Sequence, residues 1–319
     1  MSYLSSRIVG VLCFSICLTA QALAGPIEDA REAFAKKDFP RVLALAQPLA
    51  ETGDPSAQLM LGFLYEMGQG VSKDLTAAVN WYRKAAEQGN ASAELQIGMK
   101  YFSGVGVEKD HAEAARWLEK AAEQNIPPAQ NLIAIMYENG DGVGQDMAST
   151  IKWFGRSAEK GNLSAMSSLG RIYRYGSSGV PKNYDIAFGF FQKAAEQGHA
   201  GGQAGLGEMY AGGYGTKQDY AEAMKWFRLA ANNNDRSGMI GLAYIYESGK
   251  GVPKDAVEAY KWFNLAADRG YDYAGKRRDE LATRMKPEQI SEGQRLAREW
   301  KPEPGKPRAA VSGLWSNII

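Results

Sequence analysis

The chain has 319 residues, of which 45% are hydrophobic and 23% charged, values that are ordinary for a soluble protein. A net charge of +1 gives no electrostatic reason to expect nucleic acid or an acidic membrane as a partner. Both cysteines, Cys13 and Cys17, precede Gly25, so the rest of the chain excludes a disulfide framework, a thiolate metal site and a cysteine nucleophile.

Residues 1–24 have the pattern of a secretory signal peptide. Arg7 is followed by an uncharged stretch from Ile8 to Ala20, and then by the small-x-small sequence Ala22-Leu23-Ala24. We therefore expect cleavage after Ala24 and a periplasmic or secreted protein. The alternative is an uncleaved membrane anchor, the one case in which we expect membrane contact, although the apolar stretch is short for a span.

Residues 25–52 are predicted to form a capping helix pair, Ile27–Lys37 and Pro40–Glu51, because their apolar residues recur at helical spacing. Such a pair would close the N-terminal end of the repeats that follow.

Residues 53–269 contain six copies of one module. An aromatic column at Trp81, Trp117, Trp153, Phe190, Trp226 and Trp262 sets the register, with steps of 36, 36, 37, 36 and 36 residues. Modules one to six span 53–88, 89–124, 125–160, 161–197, 198–233 and 234–269. A fixed period of this size predicts a repeat array, which presents an extended surface and has no single chemical pocket.

Each module is predicted to contain two helices. In module one, Gly62 and Tyr65 share a face of the first helix, where the small residue lets a neighbouring helix approach. Gly68 suits the C-cap of that first helix, a position where the backbone often adopts the left-handed conformation. An N-cap column for the second helix is formed by Asp74, Asp110, Asp146, Asn183, Asp219 and Asp255. A metal site would need these side chains to converge, whereas the period holds them one repeat apart.

The tryptophan column is interpreted as core. Trp81 and Ala85 are four residues apart and so lie on one helix face. The alternative is a ladder of tryptophans that binds sugars. Module four departs from the others by one extra residue, Ser177 or Ser178, and we expect a local irregularity in curvature around residues 175–215.

The first module reads A-x-x-x-L-G-x-x-Y-x-x-G-x-G-V-x-x-D-x-x-x-A-x-x-W-Y-x-K-A-A-x-x-G from Ala57 to Gly89. This pattern resembles the Sel-1-like repeat family, a relative of the tetratricopeptide repeat. The resemblance implies an all-α fold, a right-handed superhelical α-solenoid of helix–turn–helix repeats. Members are mostly adaptors, many of them bacterial and exported, and the family has no general catalytic residues. Cysteine-rich relatives linked to penicillin binding carry a disulfide in each module, so that activity is not implied here.

A second stripe on each first helix, at positions equivalent to 59, 63 and 66, is expected to line the concave side of such a superhelix. The candidate partner-binding residues on it are Leu59, Phe63, Met99, Phe102, Ile135, Arg171, Arg174, Glu208 and Tyr244. We expect a peptide or protein ligand with its hydrophobic portion toward the N-terminal repeats and an acidic group near Arg171 and Arg174. The alternative for Met99 and Ile135 is packing between helices.

Residues 270–300 are predicted to form C-terminal capping helices, Ala274–Met285 and Pro287–Trp300. Residues 301–319 contain three prolines and are predicted to be a disordered tail. Its apolar tip, Leu314–Ile319, is either a docking peptide or a loose end.

These patterns indicate a non-enzymatic scaffold, adaptor or regulator of the bacterial cell envelope that binds a protein or peptide. The alternative is a secreted effector that binds host proteins, and a cell-wall or sugar-modifying enzyme is a weaker one. His111 and His199 lie in different repeat columns, more than two modules apart, and no nucleophile–base arrangement is visible. We expect no catalytic residues, no cofactor and no metal.

Overall fold

The computed structural model describes residues 25–303, which form sixteen α-helices and no strand. The predicted signal peptide and most of the predicted tail lie outside these residues. The N-terminal pair is α1 (Pro26–Ala35) and α2 (Phe39–Glu51). The first helices of modules one to six are α3 (Pro55–Met67), α5 (Ala91–Ser103), α7 (Pro127–Asn139), α9 (Leu163–Tyr175), α11 (Ala200–Gly212) and α13 (Arg236–Ser248). The second helices are α4 (Leu75–Glu87), α6 (His111–Glu123), α8 (Met147–Glu159), α10 (Tyr184–Glu196), α12 (Tyr220–Asn232) and α14 (Ala256–Ala267). The last pair is α15 (Asp272–Ala282) and α16 (Pro287–Glu299).

The all-α solenoid class predicted from the sequence is confirmed, since consecutive helices pack on one another within each of two compact units. The N-terminal unit runs through Ala129 and includes the loop Asp141–Gly144. The C-terminal unit comprises Gln130–Gly140 and residues 145–303 of the described chain.

Side-chain caps begin the second helices, as the repeat pattern predicts. In all six modules the column from Asp74 to Asp255 accepts hydrogen bonds from backbone N–H groups of the first helical turn. The Asp74 carboxylate, for example, accepts from the Ala77 N–H at 2.9 Å. These bonds satisfy donors that a helix N-terminus leaves unpaired, so capping explains the carboxylate column without a metal.

The small residue of each first helix lets a large side chain of the second helix approach the backbone. A Cβ atom added at Gly62 would lie 2.5 Å from the ring of Tyr82, and one at Gly207 would lie 2.7 Å from the ring of Phe227. Tyr82, Leu118, Phe154, Phe191, Phe227 and Phe263 are all buried, at 4% exposure or less. The column next to the tryptophans is therefore the most deeply buried seam of each module.

The tryptophan column lies at the edge of this core. Trp117, Trp153 and Trp262 are buried, whereas Trp81 and Trp226 are partly exposed. Cationic side chains cover the rings, with the Lys84 Nζ 4.2 Å from the centroid of Trp81 and similar lysine or arginine contacts on the other four tryptophans. These contacts cover surface that a sugar would need, and so favour a packing role.

The loop of module four differs from the others. In modules two and six the second loop glycine lies against the first residue of the preceding second helix, so that an added Cβ at Gly106 would lie 2.5 Å from the Leu75 carbonyl oxygen. At Gly179 nothing lies within 4 Å. The inserted serine forms a small turn in which Ser177 pairs with Val180, and a cavity of about 590 Å³ separates this turn from the start of α8.

Candidate functional site

The predicted binding stripe is filled by core packing at the front of the N-terminal unit. Leu59 is 2% exposed and Phe63 is 6% exposed. The ring of Phe63 lies 5.1 Å from that of Phe34, which α1 contributes. Because both stripe residues are buried, neither offers surface to a ligand in this structure.

The third stripe residue of module one, Glu66, is committed to a buried polar cluster. Its carboxylate accepts a hydrogen bond from the Tyr82 hydroxyl at 2.8 Å and forms an ion pair with Lys100. Burial, followed by the nearby Glu66 charge, raises the pKa of Tyr82. The cluster therefore ties α3 to α4 and α5 and leaves no free charge for a partner.

The remaining apolar stripe residues are only partly accessible. Met99 is 38% exposed. Phe102 is partly buried and stacks on the imidazole of His111, with ring centroids 4.9 Å apart. Ile135, on α7, is partly buried. The structure thus leaves little continuous apolar surface on the stripe of modules one and two.

The stripe opens in the C-terminal unit, where it lines two neighbouring cavities. Ser167, Arg171, Ala204 and Glu208 line a cavity of about 260 Å³ between α9 and α11. A larger cavity, of about 520 Å³, runs along α13 and is called the trough below. Its lining includes Arg174, Glu208, Ala211, Tyr214, Tyr220, Phe227, Ser237, Ile240, Gly241, Tyr244, Ser248, Lys250 and Tyr271. Arg174, Glu208 and Tyr244 among the predicted residues are brought together here, and Arg171 lies in the adjoining cavity.

The sixth residue of each first helix explains why cavities form in these modules. It is Met60, Gln96 and Leu132 in modules one to three, and Ser168, Gly205 and Gly241 in modules four to six. Where this residue is serine or glycine, the first helices of successive modules pack on each other, α9 on α11 and α11 on α13. In the N-terminal unit, α3 and α5 make much less contact with each other.

Two glycines of this column form the floors of the cavities. A Cβ atom at Gly205 would lie 2.4 Å from the ring of Phe191, and one at Gly241 would lie 2.6 Å from the ring of Phe227. Each floor is therefore glycine backbone beside a phenylalanine ring.

Tyrosines form the walls of the trough. Tyr214 is 36% exposed and Tyr271 is 38% exposed, so both present ring surface to solvent. Tyr244 is held by a 2.6 Å hydrogen bond between its hydroxyl and that of Tyr273. Burial and then this hydrogen bond raise the pKa of Tyr244 to about 12, so it stays neutral at physiological pH.

Both predicted anchor arginines are already paired with glutamates. Arg171 forms an ion pair with Glu138, and its side chain is 51% exposed. Arg174 forms one with Glu208, and its side chain is 13% exposed. Burial lowers the pKa of Arg174, although arginine remains protonated in proteins. An acidic group at either arginine would have to compete with the intramolecular partner.

Sequence reasoning missed several residues that shape the trough and the adjoining cavity. Gly205 and Gly241 stand outside the stripe, and Tyr214, Lys250 and Tyr271 belong to loops or to the start of the last helix pair. The decrease in side-chain size at the sixth helix position can be seen by aligning the six repeats with one another. The loop residues had no such signal.

Two other site types find no support between residues 25 and 303. No group of histidine, cysteine, aspartate or glutamate side chains there is arranged to hold a metal ion. None of the helices in this range combines the length and apolarity that crossing a bilayer requires.

The repeat boundaries found by comparison with known proteins have the same register as the aromatic column. A model of the Sel1 repeat matches residues 55–90, 91–126, 127–162, 163–199, 200–235 and 236–271. A Sel1 repeat protein from Oxalobacter formigenes is 31% identical, with a TM-score of 0.70, over 76% of this chain and 96% of that chain.

Two further solved structures are similar at lower scores. The protective antigen c5321 of uropathogenic Escherichia coli, which displays an SLR fold, is 26% identical with a TM-score of 0.36, over 81% of this chain and 71% of that chain. The immunity protein Pa5087 from Pseudomonas aeruginosa is 22% identical with a TM-score of 0.41, over 60% of this chain and 73% of that chain. A search of curated proteins gave no match. The six matched repeats and the Oxalobacter structure together show that the chain belongs to the Sel1 repeat family.

Proposed function

We propose that this protein is a non-enzymatic scaffold or regulator of the bacterial cell envelope that binds a protein partner in the trough along α13. Sel1 repeat proteins are generally scaffolds for protein–protein interaction. The observation that carries the proposal is the opening of the stripe in modules four to six, where serine or glycine replaces larger residues and exposed tyrosines form the walls.

The composition of the trough suits binding. It combines apolar surface from Ile240 and Tyr244 with a few polar groups, which is the usual make-up of a recognition site. Exposed tyrosines add large, rigid contact area at low cost in side-chain entropy.

Export is the part of the proposal that rests on sequence alone. The pattern of Arg7, an apolar stretch and Ala22-Leu23-Ala24 supports cleavage after Ala24 and a location in the periplasm. Fractionation of the native protein separates the periplasm from the medium, and N-terminal sequencing of the mature chain identifies the cleavage site. A full-length chain in the cytosol would contradict this part.

Site-specific photo-crosslinking in the native envelope tests the binding face. Ser237 is exposed and lines both cavities, so a photo-reactive side chain at residue 237 should crosslink a partner. The same probe at Lys193, an exposed residue on α10 outside all three cavities, is the matched control.

A blocking variant completes the test. Ser237→Trp should fill the mouth of the trough and abolish the crosslinked or co-purified species, while Lys193→Trp should leave it unchanged. A partner that crosslinks equally at both positions, or that survives Ser237→Trp, would rule out the trough as its binding site.

A further inference from the structure

The dimensions of the trough indicate the shape of its occupant. Its lining runs from Ser237 near the start of α13 to Ser248 at its end. At 1.5 Å per residue in a helix, that is about 16 Å. An extended peptide advances about 3.3 Å per residue, so roughly five residues match this length.

The charges of the trough indicate the chemistry of its ends. The charged lining residues are Arg174, Glu208 and Lys250. Because Arg174 and Glu208 pair with each other, Lys250 is the charge left uncompensated. Lys250 has no ion pair with any residue in the described range, and its Nζ lies 5.9 Å from the centroid of the Tyr220 ring.

A second cation lies near the opposite end of the trough. The Arg236 guanidinium lies 5.5 Å from the centroid of the Tyr271 ring, which lines the trough. Arg236 also has no carboxylate partner among residues 25–303. The two ends of the trough are thus cationic, and the middle, at Ala211, Ile240 and Tyr244, is mainly apolar.

We propose that the trough binds an extended segment of about five residues that carries a large apolar side chain at its centre and acidic side chains at its ends. This inference rests on the proposed function and specifies the chemistry of the partner. It places the hydrophobic portion of the ligand in modules five and six, on the C-terminal side of the arginines, whereas the sequence pattern suggested the N-terminal repeats.

The test uses four pools of pentapeptides, acetylated and amidated so that their termini are neutral. The central residue is fixed as Trp or Ser, both end residues are fixed as Asp or as Lys, and positions two and four are mixed. Binding to the mature chain is measured by equilibrium dialysis, with peptides quantified by mass spectrometry. We expect the Trp-centred, Asp-ended pool to bind about tenfold more tightly than the Lys-ended or Ser-centred pools.

Charge reversal makes the test reciprocal. Lys250→Glu with Arg236→Glu disturbs no ion pair of the described chain and should shift the preference toward the Lys-ended, Trp-centred pool. The matched control, Lys160→Glu with Lys193→Glu, reverses two exposed lysines outside the cavities and should change nothing. Equal binding of Asp-ended and Lys-ended pools, or of Trp-centred and Ser-centred pools, would overturn the proposal, as would an unchanged preference in the double reversal.

Failure of this chemistry is distinguishable from failure of the proposed function. If no pool binds but Ser237 still crosslinks a native partner, the ligand chemistry is wrong and the scaffold function stands. If no pool binds and Ser237 crosslinks nothing that Ser237→Trp removes, both are wrong.

Discussion

The two units use the same module, yet the first-helix stripe is mostly packed in one and lines cavities in the other. In the N-terminal unit the sixth helix position holds Met60 at 0% exposure and Gln96 at 2% exposure, and Leu59, Phe63 and Leu95 of the stripe beside them are buried. In modules five and six of the C-terminal unit the same position holds Gly205, which lines the smaller cavity, and Gly241, which lines the trough. A single column of the repeat can therefore decide whether a face packs or binds, while the caps and the buried seam stay unchanged.

Two ion pairs of the stripe, one from each unit, differ in how exposed their cations are. Lys100 and Glu66 in the N-terminal unit have side chains that are 10% and 19% exposed. Arg171 in the C-terminal unit is 51% exposed and its partner Glu138 is 18% exposed, whereas Arg174 of the same unit is 13% exposed. Breaking a desolvated ion pair costs more free energy than breaking an exposed one. Four substitutions, taken from the largest expected effect to the smallest, test the difference between the two units.

Lys100→Ala should lower the free energy of unfolding by about 3 kcal/mol or more, because it leaves the Glu66 carboxylate poorly solvated and without its cation. Urea unfolding followed by circular dichroism measures the loss. Combining Lys100→Ala with Glu66→Gln should recover part of it. A double variant that is less stable than the single one would contradict a buried-charge origin.

Gly241→Ala should destabilise the C-terminal unit by about 1–3 kcal/mol, because the new methyl group would press on the Phe227 ring. The matched control is Gly189→Ala on α10, where nothing lies within 4 Å of the added carbon. That change should stabilise by up to about 1 kcal/mol through helix propensity. Thermal unfolding of both variants decides the point, and similar shifts in the two would show that Gly241 does not shape the trough floor.

Glu94→Gln should stabilise the N-terminal unit at neutral pH by an amount of the order of 1 kcal/mol. Glu94 is 3% exposed and accepts a hydrogen bond from the Gln124 amide at 2.8 Å. Gln58 occupies the equivalent position in module one, accepts the same kind of bond from Gln88, and carries no charge.

The pH dependence of that effect has a definite sign. Burial raises the pKa of Glu94, so the folded state binds more protons than the unfolded state as pH rises above about 4. The wild type therefore loses stability as pH rises through the folded pKa, and Glu94→Gln does not. The advantage of the variant should grow as pH rises through the folded pKa and vanish below about pH 4. Denaturant unfolding at a series of pH values tests this, and a pH-independent difference would assign the effect to packing.

Arg171→Ala should change the free energy of unfolding by less than about 1 kcal/mol, and the change should shrink further in high salt. Comparing the losses in unfolding free energy for Arg171→Ala and Lys100→Ala shows how differently an ion pair on the accessible stripe and one within the core contribute to stability. A loss as large as that of Lys100→Ala would mean that the C-terminal stripe is packed as tightly as the N-terminal one.

Local structure was largely predictable from the sequence, because it depends on short-range patterns. Asp74 and its equivalents cap helices because a carboxylate at that position satisfies nearby N–H groups, wherever the helix then packs. The spacing of Gly62 and Tyr65 depends only on helical geometry. Six in-register modules were therefore readable without any coordinates.

The location of accessible surface was decided only by tertiary structure. Phe63 and Arg174 occupy two rows of the same stripe, but the Phe63 ring is covered because α1 brings Phe34 against it. Arg174 lines a cavity because the neighbouring helices carry glycine at the sixth position, yet Glu208 neutralises its charge. Both outcomes depend on side chains about 30 residues or more away in the chain. A repeat pattern determines which residues face each other, and the volumes and charges that meet there determine whether the face packs or remains open to a partner.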